Sequence, residues 1–307
     1  MSVTDHEPFV VDKNLGEKLH LGPDDLPRTN ADGEPVIDPT QEQKYLFDAR
    51  GWLILPGVLD PAVADEMRAH AEVVRDDPES LPEHERNYIS GPLEKLTDHP
   101  VVVGFLNEFL AHPHLSAHDC YGFRMEGSNV RSPSAEPDKQ GRFNPHNGGG
   151  LFRFANDSHH YQCIPGKAFS GLTRVVWELA PVKHGQGGTL LATGSHKAAY
   201  SAPESIQDRH SEVWNTYECP AGSVLFFTEA LAHSTCPWTN TENARVAIFN
   251  LYNSVGSRWG AWHPPEKLVA QMPPMRQTLF RGTHVADNVT GFRYHGQNQK
   301  DRPRAEA

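Results

Sequence analysis

Two histidines, an arginine and a glycine hold the most specific chemistry in this chain. His146 opens the triplet His146-Asn147-Gly148, His233 follows 87 residues later, and Arg245 lies 12 residues beyond that. Two imidazoles and a carboxylate, with the other coordination positions open, form the donor set of non-haem Fe(II) centres that activate O₂. The first histidine and the carboxylate of such a site usually stand as His-x-Asp or His-x-Glu. Here the third position is Gly148, which has no side chain to bind a metal. A coordination position is thereby left for another ligand. Chloride is the candidate that would change the reaction.

That alignment depends on finding no better triplet. The chain contains no His-x-Asp. His70-Ala71-Glu72 falls within a stretch patterned as a surface helix, and His210-Ser211-Glu212 lies only 23 residues before His233 in a polar, loop-like segment. A two-sheet fold needs several strands between the halves of the site, and the interval from His146 to His233 accommodates them. Asp157 and Glu178 are the carboxylates from other strands that could fill the position instead.

Composition excludes several classes of partner. The chain has 307 residues and a formal net charge of −11, which disfavours nucleic-acid polymers and anionic membrane surfaces. No apolar run approaches the roughly 20 residues of a membrane span, and the acidic first 20 residues lack a signal-peptide core. Cys120, Cys163, Cys219 and Cys236 are scattered, without zinc-like spacing. That usage fits a reducing compartment, and the cytoplasm is the expected location.

The elements that must position the histidines are legible in outline. Residues 1–40, with nine acidic and three basic side chains, read as an extended or partly disordered arm, and the domain proper is expected over 41–307. A short helix over 43–49 ends at Gly51, before an apolar strand, Trp52-Leu53-Ile54-Leu55. Asp60-Pro61 marks a helix start. Val63, Met67, His70 and Val74 then recur at helical spacing to about Arg75, and a second helix is expected over 101–110. From about Ala117 the pattern changes to short apolar strands: 121–124, 173–179, 189–192, 223–227 and 244–251. Short helices follow Pro264. The expectation is a mainly β fold with a helical N-terminal layer.

In this order and spacing, the motifs resemble the phytanoyl-CoA dioxygenase family of Fe(II)/2-oxoglutarate enzymes. The likeness runs from Tyr45 to about Tyr252. It includes Gly51-Trp52-Leu53-Ile54-Leu55-Pro56-Gly57-Val58-Leu59, then Gly187-Gly188-Thr189 leading to Gly194-Ser195-His196-Lys197. Phe226-Phe227-Thr228-Glu229-Ala230-Leu231 leads to His233-Ser234-Thr235, Pro237-Trp238 and Arg245. The resemblance implies a double-stranded β-helix, or jelly roll. It makes His146 and His233 the iron ligands and Gly148 the vacant carboxylate position, a chloride site. It also sets His196 aside as part of a structural loop.

Arg245 is the expected partner of the distal carboxylate of 2-oxoglutarate, because guanidinium matches a carboxylate bidentately. Thr235 would add a hydroxyl. Trp177 resembles an aromatic lining the cosubstrate pocket, although a plain core tryptophan is an equal reading. The implied cofactors are Fe(II), 2-oxoglutarate, O₂ and chloride. The cofactors carry the C–H activation and the protein positions the substrate.

The resemblance extends to His-x-Gly halogenases, so the expected reaction is chlorination of an unactivated C–H bond. Hydroxylation of a small metabolite is the alternative, and a silent binding protein is a third reading. Between Lys139 and Arg174 stand five basic residues, Lys139, Arg142, Arg153, Lys167 and Arg174, against one acid, Asp157. With His159 and His160 beside them, Arg153 and Arg174 form a candidate mouth for a free, anionic small molecule. A carrier-tethered substrate is not expected. Among His-x-Gly halogenases the likeness is to those chlorinating a nucleotide sugar, such as that of 2′-deoxyadenosine monophosphate.

Overall fold

The computed structural model describes residues 26–111, 115–149 and 157–283. Thr40 caps the first helix, α1 (Gln41–Arg50), through a reciprocal capping box with Gln43, and Gly51 ends it in the left-handed conformation at φ 80°. Strand β1 (Trp52–Leu55) follows directly. Helix α2 (Pro61–Asp76) starts where Asp60-Pro61 indicates and buries Ala64, Met67, Ala71 and Val74. The expected stripe is rotated by one position, so Val63 is exposed. Helix α3 (Pro100–Phe109) is apolar around most of its circumference and is almost wholly buried.

Part of the segment expected as an arm belongs to the domain. Residues 26–40 pack on the domain, and a Cβ on Gly104 of α3 would lie 2.0 Å from the carbonyl oxygen of Ile37. Asn107 donates to the carbonyl of Pro27 at 3.1 Å. Residues 1–25 of the expected arm lie outside the described residues.

The β layer is antiparallel throughout. Its strands are β2 (Phe123–Arg131), β3 (Gln162–Ile164), β4 (Lys167–Phe169), β5 (Thr173–Glu178), β6 (Thr189–Ala192), β7 (Trp214–Asn215), β8 (Ser223–Thr228), β9 (His233–Thr235) and β10 (Ala247–Ser254). The large sheet has the order β1-β8-β5-β10-β2, the small one β7-β6-β9, and β3-β4 is a hairpin. The expected short helices after Pro264 are present as α4 (Glu266–Val269) and α5 (Pro274–Gln277).

Side-chain alternation divides the large sheet between two cores. On β5, Val175 and Trp177 join Phe105 of α3 and Phe226 in the core under the helices. Val176 packs with Leu191 of β6, Leu225, Phe227 and Trp238 in a second core between the two sheets. Arg174 and Glu178 share the face of Val176. The same alternation that builds the second core therefore sends two charged groups into the space between the sheets.

Candidate active site

His146 and His233 meet across the edge of the small sheet. Their backbones form an isolated antiparallel bridge, with His146 N–H donating to His233 O at 3.2 Å and His233 N–H to His146 O at 3.1 Å. Directly opposed residues project their side chains to the same face, and the two rings stand 4.2 Å apart between centroids. The approaching strand is pinned further along by Asn144 N–H, which donates to Ser234 Oγ at 2.7 Å.

Each ring is held by a backbone carbonyl two residues before it. His146 Nδ1 lies 2.9 Å from the carbonyl of Asn144, and His233 Nδ1 lies 2.8 Å from that of Leu231. A carbonyl only accepts, so each Nδ1 carries a proton there. Burial lowers the pKa of His233 to about 4, with Glu229 pulling the other way, so the ring is neutral at physiological pH. Two paired imidazoles are a donor type that a divalent transition metal takes. Among the described residues, no three His, Cys, Asp or Glu side chains form a ready-made metal cluster.

The pair opens on a cleft of about 620 Å³ between the sheets. Arg131, Arg142, Arg174 and Arg245 line it, and among the described residues none of its lining is acidic. Ser234 and Thr235 line it too. Arg245 reaches it from a buried ion pair with Glu178, in which Arg245 Nε donates to Glu178 Oε2 at 3.1 Å. Its Nη2 also donates to Tyr217 Oη at 3.1 Å and Thr189 Oγ1 at 3.3 Å. Arg131 is exposed, and among the described residues it has no acidic partner. Partial desolvation and the charges of Arg174 and Arg245 lower its pKa.

Several expected site residues stand elsewhere. Trp177 is fully buried under the helices, donates to the carbonyl of Leu96 at 3.3 Å and packs on His99. It is a core tryptophan because it occupies the opposite face of β5 from Arg174. His160 contacts Gln162 and lines a different depression. His159 is buried against Trp259 and Asp157, close enough to Glu229 to lower its pKa. Arg153 lies outside the described residues.

Neither alternative carboxylate reaches the histidines. Glu178 is taken up by Arg245 and Tyr217, and Asp157 accepts from the backbone of His159 at 2.8 Å. His196 belongs to the loop before Lys197, where it is fully buried and bonds to the carbonyl of Asp48 at 3.0 Å.

Gly148 is also differently placed than a vacant ligand position would be. It adopts φ 94°, and a Cβ there would come within 3.2 Å of the Ala232 Cβ. It lines a second cleft with Ala192, Ser195 and Tyr200, whereas His146 and His233 line the basic one. The acid nearest His233 is Glu229, four residues before it in the turn after β8. Glu229 Oε2 lies 3.5 Å from His233 Nε2.

The Phytanoyl-CoA dioxygenase (PhyH) family model matches residues 47–247. The chain belongs to this family. As a PhyH protein it is placed among Fe(II)/2-oxoglutarate-dependent oxygenases. Its fold is similar to that of HygX from Streptomyces hygroscopicus with nickel and 2-oxoglutarate bound: TM-score 0.55, 18% identity, covering 73% of this chain and 91% of HygX. The iron-bound form of HygX gives TM-score 0.54 at 19% identity, over 73% and 90% of the two chains. HygX with nickel, 2-oxoglutarate and hygromycin B gives 0.53 at 19%, over 72% and 90%. No curated protein matches the chain. Among the described residues no helix is long and apolar enough to cross a membrane.

Proposed function

We propose that this PhyH protein hydroxylates, or otherwise oxygenates, an unactivated C–H bond of a free, anionic small molecule, using Fe(II), 2-oxoglutarate and O₂ on a double-stranded β-helix. The observation that carries the reading is the opposed His146–His233 pair, with each Nδ1 tied to a backbone carbonyl, at the wall of a cleft lined by four arginines. His146 and His233 would hold the iron, which supplies the oxidising chemistry once 2-oxoglutarate and O₂ are present. Arg131 and Arg245, with Thr235 beside them, would hold the distal carboxylate of the cosubstrate. Arg245 gives less than a lone guanidinium would, because Glu178 already neutralises it.

The basic lining favours a carboxylate- or phosphate-bearing substrate, and a purine nucleotide such as 2′-deoxyadenosine monophosphate is the specific candidate. Recognition of a nucleic-acid polymer, a membrane or a carrier protein is not part of this reading, and the proposed location is the cytoplasm. HygX, whose substrate-bound form holds hygromycin B, is a precedent for a free small molecule on this fold.

Chlorination is the second reading, favoured by one observation: Gly148 brings no carboxylate to the iron. One experiment separates the two. The enzyme is incubated with Fe(II), 2-oxoglutarate, O₂ and a panel of purine nucleotides and nucleosides, with and without chloride, and the products are weighed by mass spectrometry. Oxygenated product formed equally in both supports the oxygenase. A chlorine isotope pair that requires chloride supports the halogenase. Succinate formation with neither product, across the panel, removes the nucleotide from the proposal.

A further inference from the structure

The loop after β10 presents Trp259, which is 60% exposed. A single exposed aromatic is ordinary on a protein surface. Here the backbone beneath the ring is held by a buried acid. Glu126 of β2 is 3% exposed and accepts from Trp259 N–H, at 3.1 Å on Oε1 and 2.9 Å on Oε2. Its Oε2 also accepts from Gly260 N–H at 3.4 Å. Arg124 pairs with the same carboxylate and donates to the Ser257 carbonyl at 3.3 Å. Burying such a pair costs desolvation, and this one fixes the loop that carries the indole. The indole stands T-shaped on the buried His159, with ring centroids 4.3 Å apart at 76°. That contact supports the ring and leaves most of it to solvent.

Strand register places this loop at one end of the basic cleft. Arg174, which lines the cleft, pairs with Leu251, and Leu251 pairs with Gly127. Glu126 is the next residue along β2, so the carboxylate that anchors Trp259 stands one row beyond Arg174. A depression of about 540 Å³ opens at the same end of the sheet. His160, Gln162, Ser257 and Arg258 offer hydrogen bonds from its walls, and Asp157 is the acid in its lining. Arg258 is steered by its own loop: Nε donates to the Gly260 carbonyl at 2.8 Å. Trp259 is thus a pre-set flat surface beside hydrogen-bonding groups and a guanidinium. A planar ring with nitrogen or oxygen at its rim satisfies both, its face on the indole and its rim on the polar groups.

We propose that Trp259 is the stacking surface for a heteroaromatic ring of the substrate, and that Arg258 meets acceptor atoms at the rim of that ring. The proposal rests on the small-molecule oxygenase reading above and deepens it. The ring is held beyond Arg174, and the anionic end of the same molecule lies among the cleft arginines.

The test uses the full chain, loaded anaerobically with Fe(II) and 2-oxoglutarate, and titration calorimetry. The probes are the monophosphates of 2′-deoxyadenosine, 2′-deoxyguanosine and thymidine, with 2-deoxyribose 5-phosphate as the partner that lacks the ring. Wild type should bind at least one of the nucleotides about tenfold more tightly than the sugar phosphate. Trp259→Ala should lose that preference and keep its affinity for the sugar phosphate, and Trp259→Phe should recover most of the preference. A merely structural role would lower the melting temperature and weaken both kinds of probe alike. An undiminished preference in folded Trp259→Ala would overturn the proposal and leave the oxygenase reading intact. So would a wild type that binds no nucleotide more tightly than the sugar phosphate, a result that stands even where the variants fail to fold. Absence of Fe(II)-dependent 2-oxoglutarate binding by wild type would instead reject the oxygenase reading, and this proposal with it.

Discussion

Arg245 and Glu178 form an ion pair that is almost completely sealed from solvent, with Glu178 fully buried and Arg245 3% exposed. Tyr217 donates its hydroxyl to the same carboxylate at 2.6 Å. The pair joins the start of β10 to the end of β5, so the residue nominated for cosubstrate binding is also a tie between strands. Removing one partner leaves a buried charge alone, which costs about 3–5 kcal/mol. Arg245→Ala should lose stability on that scale in urea denaturation without any cosubstrate present. Arg245→Met combined with Glu178→Met should recover a large part of it. A loss below about 1 kcal/mol in Arg245→Ala would show that the pair is not structural.

Arg131 separates cosubstrate binding from that structural role. It has no acidic partner among the described residues and stands beside Arg174 and Arg245. Arg131→Ala relieves repulsion, so its melting temperature should hold or rise. Its 2-oxoglutarate requirement should rise about tenfold or more, measured as the KM for succinate formation. An unchanged requirement would move the carboxylate elsewhere in the cleft.

The two histidines should act as a unit. His146→Ala and His233→Ala should each abolish the 2-oxoglutarate-dependent absorption band of the anaerobic Fe(II) protein and all succinate formation. Full iron loading with near-wild-type turnover in either variant would refute the assignment.

Gly148→Asp tests whether the glycine is only a missing ligand. The backbone there stands at φ 94°, and the new Cβ would meet Ala232 at 3.2 Å. Strain of this kind costs about 1–3 kcal/mol. A lower melting temperature and no gain in Fe(II) affinity are expected. Tighter metal binding in Gly148→Asp would restore the vacant-ligand picture.

A buried histidine away from the site should set part of the acid sensitivity. Burial lowers His196 to about 4, its Nε2 meets the Asp48 carbonyl, and among the described residues its Nδ1 has no hydrogen-bond partner. The fold favours the neutral ring, so the unfolded chain binds the extra proton as pH falls below about 6.5. The contribution is complete above that pH and is lost as pH falls toward 4, amounting to about 2 kcal/mol at pH 5. Denaturation of wild type and His196→Gln at pH 7 and pH 5 should show a smaller drop in the variant. Equal drops would assign the sensitivity to other groups.

The sequence by itself determined the family, the helical entry and most core strands, and it singled out the two histidines that the fold pairs. Those features depend on local causes: capping residues at Thr40, glycine at Gly51, period-two apolar runs, and a fixed motif order. It also set His196 aside as a loop residue, and the structure shows it buried against the Asp48 carbonyl. What the tertiary structure decided was facing and pairing. Trp177 and Arg174 are three residues apart on β5, and only the packing of α3 on one side of the sheet sends the first into the core and the second into the cleft. Glu178 is absorbed by Arg245 because two strands distant in sequence lie adjacent in space. Glu229 was visible in the sequence as the acid four residues before His233, but nothing local distinguishes it from an ordinary turn residue. Its surroundings are set by Asn147 and Arg174, each more than 50 residues away, which close on its two oxygens.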